Sequence, residues 1–593
     1  MDPEVLGRMV ERAAHRGPDD SGQWIDASVG LGHRRLSIVD LSSAGHQPMH
    51  YLDRYVLTYN GEIYNYVELA AELATVGYQF RSRTDGEVLL AAYDHWGQSC
   101  VEHFNGMWGF ALLDRRKQVL FCSRDRFGVK PFHYVQTAGM FAFGSEIRQL
   151  LPLVSGTVAN DRIVSDYLWL GLEAHDDETF FAGVQRLRGG HNLTVDLANG
   201  QLSVTRYYNL RPRSGVDRLG ASEYASVLRT ELERSIRIRL RSDVQVGTCL
   251  SGGLDSSTIA AIASEMYRAQ TGQPFYAITG QSTEPATDET HFARMVAQKS
   301  GLDWAIIRPQ VSEFEAVLDE VVRTQEEPFG GPSIFMQFFV MQAARAAGCP
   351  VLLDGQGSDE AFGGYESYTS EYFASLIMRG RFIPAIRALT AMRGYKVRRS
   401  EAVLRTVYAV AGPRVRKVFA GLRKPGPGAG MRSDPRHRAV YERLSFTDFL
   451  IRELTVRSLP RLLRYEDRNS MHFSIETRLP FLDYQLVELA LGAPEDLRMK
   501  DGYPKYPLRV AGQDRLPPEI SWRTSKLGFE APTATWIAAI RPAMEADIAA
   551  SPLLAAHGAN HSTGLDSTAF WRRFNLARWE RLFGVSTQSG LAA

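Results

Sequence analysis

Residues 251–257 read Ser-Gly-Gly-Leu-Asp-Ser-Ser, directly after an apolar, strand-like run containing Val244, Val246, Cys249 and Leu250. A helical pattern follows from Thr258 to Ala263. Two glycines let a backbone come close to a ligand. Exposed N–H groups, three serine hydroxyls and the positive end of the helix then favour a multiply charged anion. Asp255 would repel a bare phosphate, so the loop calls for a bridging Mg²⁺. No Gly-Lys-Ser/Thr follows the glycines, which separates it from a Walker loop. An ordinary Gly-Ser turn is the competing reading, and the full seven-residue run after a strand argues against it. A second loop, Asp354-Gly355-Gln356-Gly357-Ser358-Asp359-Glu360, follows the apolar run Val351-Leu352-Leu353. Ligands of open parallel sheets bind at such carboxyl edges. Asp255 and Asp359 are therefore expected to share one Mg²⁺ on a pyrophosphate group.

The elements that must hold these loops can be traced on both sides. Residues 1–200 alternate short strand-like segments (54–59, 107–113, 118–123, 140–144) with helical patterns at 66–76 and 86–96, which predicts a β-rich layered α+β domain. The polar stretch 211–215 reads as a linker. An amphipathic helix is predicted over 222–241. Strands at 244–250, 275–280, 304–307 and 350–354 alternate with helices at 257–270 and 288–300, an order that implies a parallel sheet. Residues 440–593 read as mostly helical.

The chain has 593 residues, 44% hydrophobic and 23% charged, with a net charge of +1. That is a globular composition, and its charge balance is not built to hold a polyanion. Four scattered cysteines (Cys100, Cys122, Cys249, Cys349) lack metal-type spacing and read as buried hydrophobes of a reducing compartment. No run is long and apolar enough for a bilayer, and the N-terminus has no signal-peptide pattern. A cytoplasmic location is the expectation. Between Arg379 and Arg438 there are sixteen Lys or Arg and two acids, Glu401 and Asp434. This basic insertion, 379–438, broken by Pro425-Gly426-Pro427-Gly428, reads as a solvated surface segment or as a docking patch for an acidic partner.

Further motifs are Arg464-Tyr465-Glu466-Asp467-Arg468-Asn469, Glu476-Thr477-Arg478-Leu479-Pro480-Phe481-Leu482-Asp483 and Trp522-Arg523-Thr524-Ser525-Lys526-Leu527-Gly528. With these, the chain from about residue 4 to 540 resembles the glutamine-dependent asparagine synthetases and their β-lactam-forming and lasso-cyclising relatives, whose nucleotide loop is that of the ATP pyrophosphatases. The resemblance implies an N-terminal-nucleophile-type αββα sandwich over 1–210. An α/β parallel-sheet ATP-pyrophosphatase (adenine nucleotide α hydrolase-like) domain with a helical C-terminal part would follow over 216–593. It implies that a carboxylate attacks the α-phosphorus of ATP, and that a nitrogen nucleophile then displaces AMP. The nucleotide set would be Leu250, Ser251, Gly252, Gly253, Leu254, Asp255, Ser256, Ser257, Ile278, Asp354 and Gly355, with Leu250 and Ile278 flanking adenine. Asp255 and Asp359 would hold Mg²⁺. Lys526 matches the family's catalytic lysine, whose charge would stabilise the transferring groups. Gln356 is a departure. Asparagine synthetases carry glutamate there and the β-lactam-forming relatives tyrosine, so the position follows acceptor chemistry. An amide has no basic form near pH 7. Aspartate as acceptor is thereby placed in question.

The N-terminal third resembles class II glutamine amidotransferase domains through His15-Arg16-Gly17-Pro18-Asp19, Gly32-His33-Arg34-Arg35-Leu36-Ser37, Asn60-Gly61-Glu62-Ile63-Tyr64-Asn65 and Thr84-Asp85-Gly86-Glu87. By position, Arg35 would pair with the glutamine α-carboxylate. Glu62 and Asp85 would hold its α-ammonium, and Asn60 with the Gly61 N–H would form the oxyanion hole. The N-terminal cysteine nucleophile of that family does not occur here. A misplaced start and a real loss of glutaminase compete, and the preserved pocket favours the first.

The expected reaction is ATP-dependent amidation, foremost of L-aspartate to L-asparagine, with glutamine or ammonia as nitrogen donor. The alternative is amidation or cyclisation of a specialised acceptor, such as a surface-glycan sugar acid, a natural product or a lasso-type peptide. Two other classes compete. An RNA-modifying pyrophosphatase is disfavoured by the balanced charge and the lack of a cysteine pair. A non-catalytic binding protein is disfavoured by the intact Asp255, Asp359 and Lys526. Partners are small molecules, with a homodimer as a further option. The chain as written is expected to release no glutamate from glutamine; brisk release by purified 1–593 would overturn that.

Overall fold

Side-chain alternation along Tyr55–Ile63 organises the first half of the molecule. Tyr55, Leu57 and Tyr59 pack with Leu69, Leu73 and Leu89 of the helices Tyr66–Thr75 and Asp85–Trp96. Val56 faces the other way, onto Leu31, Ala111, Cys122 and Phe132. A period of two with both faces apolar requires a sheet covered on both sides. The computed structural model describes residues 2–26, 28–137, 139–154, 156–391, 399–410, 444–524 and 531–587. Its early strands are β1 (Asp20–Asp26), β2 (Val29–Arg35), β3 (Met49–Tyr51), β4 (Tyr55–Ile63), β5 (Gly106–Asp114), β6 (Val119–Arg124), β7 (His133–Thr137), β8 (Met140–Gly144), β9 (Gln185–Arg186), β10 (His191–Asp196) and β11 (Leu202–Arg206). An antiparallel sheet ordered β11-β10-β6-β5-β4-β3 forms one layer, and the pair β1-β2 with the sheet β8-β7-β9 forms the next. The helix Pro3–Glu11 packs on β2 and buries Leu6, Met9 and Val10. The layers thus run helix, sheet, sheet, helix, the expected αββα sandwich.

The second half is built on strands β12 (Val246–Cys249), β13 (Tyr276–Gly280), β14 (Asp303–Ile307), β15 (Val351–Leu353) and β16 (Glu476–Arg478). They are all parallel, in the order β14-β13-β12-β15-β16. Val351 and Leu353 face the helix Ala221–Arg239, while Leu352 faces the helix Ser333–Ala346 through Val340 and Met341. The strand β12 lies between β13 and β15, so the chain leaves it in opposite directions. This is the switch point at which open α/β sheets bind ligands.

The expected helices and strands fall within a few residues of those observed. Three details go beyond those readings. The strand β16 was not anticipated, because Glu476-Thr477-Arg478 carries no apolar signal. The stretch 211–215 is not a free tether, since the Arg213 N–H donates to the Glu488 carbonyl at 2.8 Å. In the basic insertion, helices Phe382–Ala391 and Arg399–Val410 are described, whereas the Pro-Gly run at 425–428 lies outside the described residues. Arg379 and Arg381 at its start pair with Glu495 and Asp496. Among the described residues, no helix is long and apolar enough to cross a membrane.

Asp483 joins the two halves. It is fully buried and accepts from Arg234 at 2.7 Å, from Arg239 at 3.2 Å and from Asn105 Nδ2 at 2.8 Å. Burial alone would raise this carboxyl; Arg239 and Arg234 outweigh it and hold it below the usual range. Asp483→Ala leaves the buried Arg239 without its carboxylate, and the expected loss of stability is about 3–5 kcal/mol. The wild-type contribution is present above the ordinary carboxylate pKa of about 4 and fades as pH falls through the lowered folded value. Denaturant titrations of both proteins at pH 7 and pH 3 measure it; a pH-independent difference would contradict the assignment.

Candidate active site

At the first strand end, the Leu250 N–H donates to the Ile278 carbonyl at 2.9 Å, so these two buried residues close the sheet side by side. Gly252 has φ +78°, and a Cβ there would stand 2.7 Å from the Ala293 nitrogen. The helix Leu254–Thr271 starts at Gly253 with no side-chain cap. Its first N–H groups are thereby left for a ligand. Ser251 and Ser256 hydroxyls lie 3.0 Å apart, while the buried Ser257 Oγ has no hydrogen-bond partner among the described residues. Across the switch point, a Cβ on Gly355 would come within 3.3 Å of Asp255 Cβ. Gly357 turns the second loop at φ +89° into the helix Ser358–Phe362, which carries Asp359.

Asp255 and Asp359 converge on one nitrogen. Lys505 Nζ lies 2.7 Å from Asp255 Oδ2 and 2.7 Å from Asp359 Oδ1. The Ser358 hydroxyl donates to Asp255 Oδ1 at 2.8 Å. Lys505 is buried and has φ +54°, a strained conformation for a non-glycine residue that concentrates at functional sites. A Cβ at Gly364 would stand 1.9 Å from Lys505 Cε and 2.0 Å from Asp359 Oδ1, so that position must remain glycine. Two carboxylates around a cation suit Mg²⁺ completed by phosphate oxygens. Among the described residues, no group of three or more His, Cys, Asp or Glu forms a metal cage.

Beside this pair stand two acids with altered titration. Burial, the largest cause, pushes Asp354 up to about 6. Burial and then the neighbouring Asp354 raise Glu466 well above the carboxylate range, against the pull of Gln337, which hydrogen bonds to it, and of the nearby Gln356 and Thr477. Gln356 thus contacts Glu466, from the helix Leu459–His472. Lys526 lies outside the described residues.

The glutamine-type residues surround a separate cavity of about 160 Å³ lined by Arg35, Asn60, Gly61, Glu62 and Asp85. Tyr59 OH and the Ile63 N–H donate to Asp85 Oδ2 at 2.8 and 2.9 Å. Asn60 Nδ2 is 3.4 Å from Ser145 Oγ. A Cβ on Gly61 would stand 2.1 Å from the Met107 carbonyl oxygen. Arg35 donates only to backbone carbonyls, among them Ser42 at 2.8 Å, and has no carboxylate partner among the described residues. Glu62 is raised well above the carboxylate range, first by burial and then by Asp85 and Glu476; Asp85 rises to about 6, first by burial. A carboxylate-binding guanidinium and two crowded acids therefore line one cavity. Among its described lining residues there is no cysteine.

Sequence reasoning missed Lys505, Glu466, Ser358 and the floor of the cavity, to which Lys130 and Glu476 contribute. A lysine between two prolines carries no motif, and the Glu466 motif was noticed without a role.

Family comparisons agree with this two-site architecture. A family described as asparagine synthase matches residues 227–580, and one described as a glutamine amidotransferase domain matches residues 1–208. The chain therefore belongs to the asparagine synthase family, in which a glutamine amidotransferase domain is joined to an ATP-using carbon–nitrogen ligase. Its relatives include a putative asparagine synthetase [glutamine-hydrolyzing] of Mycobacterium tuberculosis, 32% identical over 90% of this chain and 85% of the relative. Asparagine synthetase [glutamine-hydrolyzing] 1 of Bacillus subtilis is 30% identical over the same shares. Amidase chry2 of Gibberella zeae is 27% identical over 90% of this chain and 86% of its own.

Lys505→Met removes the ammonium between Asp255 and Asp359. Hydrogen bonds to charged groups contribute about 1.5–3 kcal/mol, so ATP binding in the presence of Mg²⁺ is expected to weaken by about ten- to a hundredfold. Equilibrium dialysis with labelled ATP reads this; unchanged affinity would remove Lys505 from the site.

Proposed function

We propose that the protein amidates a carboxylate through an acyl-adenylate, with glutamine or ammonia as the nitrogen donor. The observation that carries this reading is the convergence of Asp255 and Asp359, from neighbouring strand ends, on Lys505 Nζ. In this reading Ser251, Ser256, Ser257 and the helix N-terminus bind the pyrophosphate, and Leu250 and Ile278 flank the adenine. Asp255 and Asp359 would hold Mg²⁺, which when bound offsets phosphate charge. The acceptor carboxylate attacks the α-phosphorus, pyrophosphate leaves, and ammonia then displaces AMP from the acyl carbon. The ammonia nitrogen sheds a proton in that step. Gln356 cannot take it, whereas the adjacent Glu466 carboxylate, when ionised, can. Lys526 retains its proposed role on the developing negative charge.

L-aspartate is the first acceptor to test, since the relatives above are named for asparagine synthesis. A specialised acceptor is the second reading, supported by Gln356 and by the amidase name of one relative. The products are expected to be AMP and pyrophosphate in equal amounts, dependent on aspartate and ammonia. ADP formation would overturn the adenylate reading; AMP formation with another carboxylate but none with aspartate would select the second acceptor class.

At the other site, Arg35 would bind the α-carboxylate of glutamine, and Glu62 with Asp85 its α-ammonium. Both acids must be ionised to attract an ammonium. Because burial raises them, glutamine binding is expected to weaken as pH falls through about 6, the value to which Asp85 is pushed. Calorimetric titration between pH 5 and 8 measures this. Affinity that stays flat, or rises toward low pH, would count against the pair.

A further inference from the structure

A second interdomain cavity, of about 130 Å³, lies between β6, β10 and the helix Leu459–His472 and belongs to neither site described above. Seven guanidiniums line it, and three of them have no carboxylate partner among the described residues. Arg124 donates only to the carbonyls of Lys130, Leu187 and Gly128, at 2.6, 2.6 and 2.8 Å. Arg126 donates only to the carbonyls of Phe104 and Glu102 and lies over the Tyr484 ring at 4.1 Å. Arg206 donates to the Tyr208 carbonyl at 2.9 Å. None of these three has a carboxylate partner among the described residues.

Three more guanidiniums on the wall are ion-paired: Arg186 with Glu327, Arg464 with Glu327 and Glu173, and Arg468 with Glu326, Glu146 and Asp467. Each nevertheless keeps a buried Nε with no acceptor. The acids on the wall, Asp176 and Asp467, are already engaged by Arg162 and Arg16. Electrostatics report the same surplus. His133 is held neutral, first by burial and then by Arg468, Arg186 and Arg124. Arg124 itself is pushed down to about 10 by burial, with Arg186 and Arg468 adding repulsion against the pull of Asp125 and Asp467. At the mouth, the exposed Arg206 stands near His191 and near Arg188, which pairs with Asp177.

Buried like charges without counter-ions are costly. An oxyanion is what forked guanidinium donors fit. The volume holds about four waters at roughly 30 Å³ each, enough for a phosphate group and too small for a nucleotide. We propose that this interdomain cavity is a binding site for a compact phosphate oxyanion, separate from the nucleotide loop. Its walls come from both domains, so an anion there bridges them.

Inorganic phosphate and pyrophosphate, each titrated calorimetrically into the full chain at constant ionic strength, are the two probes. They separate the sources: pyrophosphate is the leaving group of the proposed reaction and phosphate is not. Saturable binding of at least one is expected, weakened about tenfold or more in Arg206→Gln and further in Arg206→Gln/His191→Gln. Both changes lie at the mouth, and an unchanged melting temperature in anion-free buffer verifies the fold. Absence of saturable binding by either probe, or equal affinity in wild type and both variants, would overturn the proposal. The second result would place the anion on the Ser251–Ser257 loop instead.

Discussion

Charge cannot be buried without a partner, and the seam between the two domains is made of charges that satisfy this rule across it. Arg16, on the amidotransferase side, donates to Asp467 at 2.8 and 2.9 Å and to Glu146 at 3.1 Å. Arg468 lies 3.7 Å from Glu146 across the seam, and Arg148 meets Glu326 at 3.3 Å. All except Arg148 are almost wholly buried. Replacing such pairs by apolar residues is often neutral for stability. Their evident consequence is geometric, because each group is satisfied in only one relative placement of the domains. Asp483, held by Arg234, Arg239 and Asn105, repeats the principle farther along the seam.

The seam is also where the two sites meet structurally. Consecutive residues of one helix serve different neighbours: Glu466 faces Gln356 and Asp354, while Asp467 and Arg468 face the amidotransferase domain. The strand β16 does the same with a period of two. Thr477 faces Glu466 on the ligase side. Glu476 and Arg478 point the other way, where Arg478 Nη2 lies 3.7 Å from Glu62 Oε1 and Glu476 lines the glutamine-type cavity. A three-residue strand at the sheet edge therefore touches both sites. Its polar side chains are buried because each face has a charged partner.

That strand also marks the limit of what the sequence discloses. Loops that bind through backbone are legible, since glycine, serine and a following helix leave a pattern; residues 251–257 and 354–360 were readable for that reason. Strands with alternating or continuous apolar character, such as Tyr55–Ile63 and Val351–Leu353, were readable too. Glu476-Thr477-Arg478 was not, because its burial is enforced by ion pairs that exist only after folding. Lys505 was hidden for a related reason. Its role comes from a left-handed backbone and from a pocket between Gly364 and two carboxylates distant in sequence. The arginines of the interdomain cavity are scattered from 124 to 468, with no local motif to gather them.

The same electrostatic rule accounts for the residue at position 356. Glu466 is buried, and the neighbouring Asp354 disfavours its ionisation. A glutamate at 356 would bring a third carboxylate into contact with Glu466, and three like charges in low dielectric raise one another's pKa steeply. An amide avoids that repulsion and favours the charged form of Glu466. Position 356 and the Leu459–His472 helix are thus constrained together: where the loop gives up its carboxylate, the helix presents one.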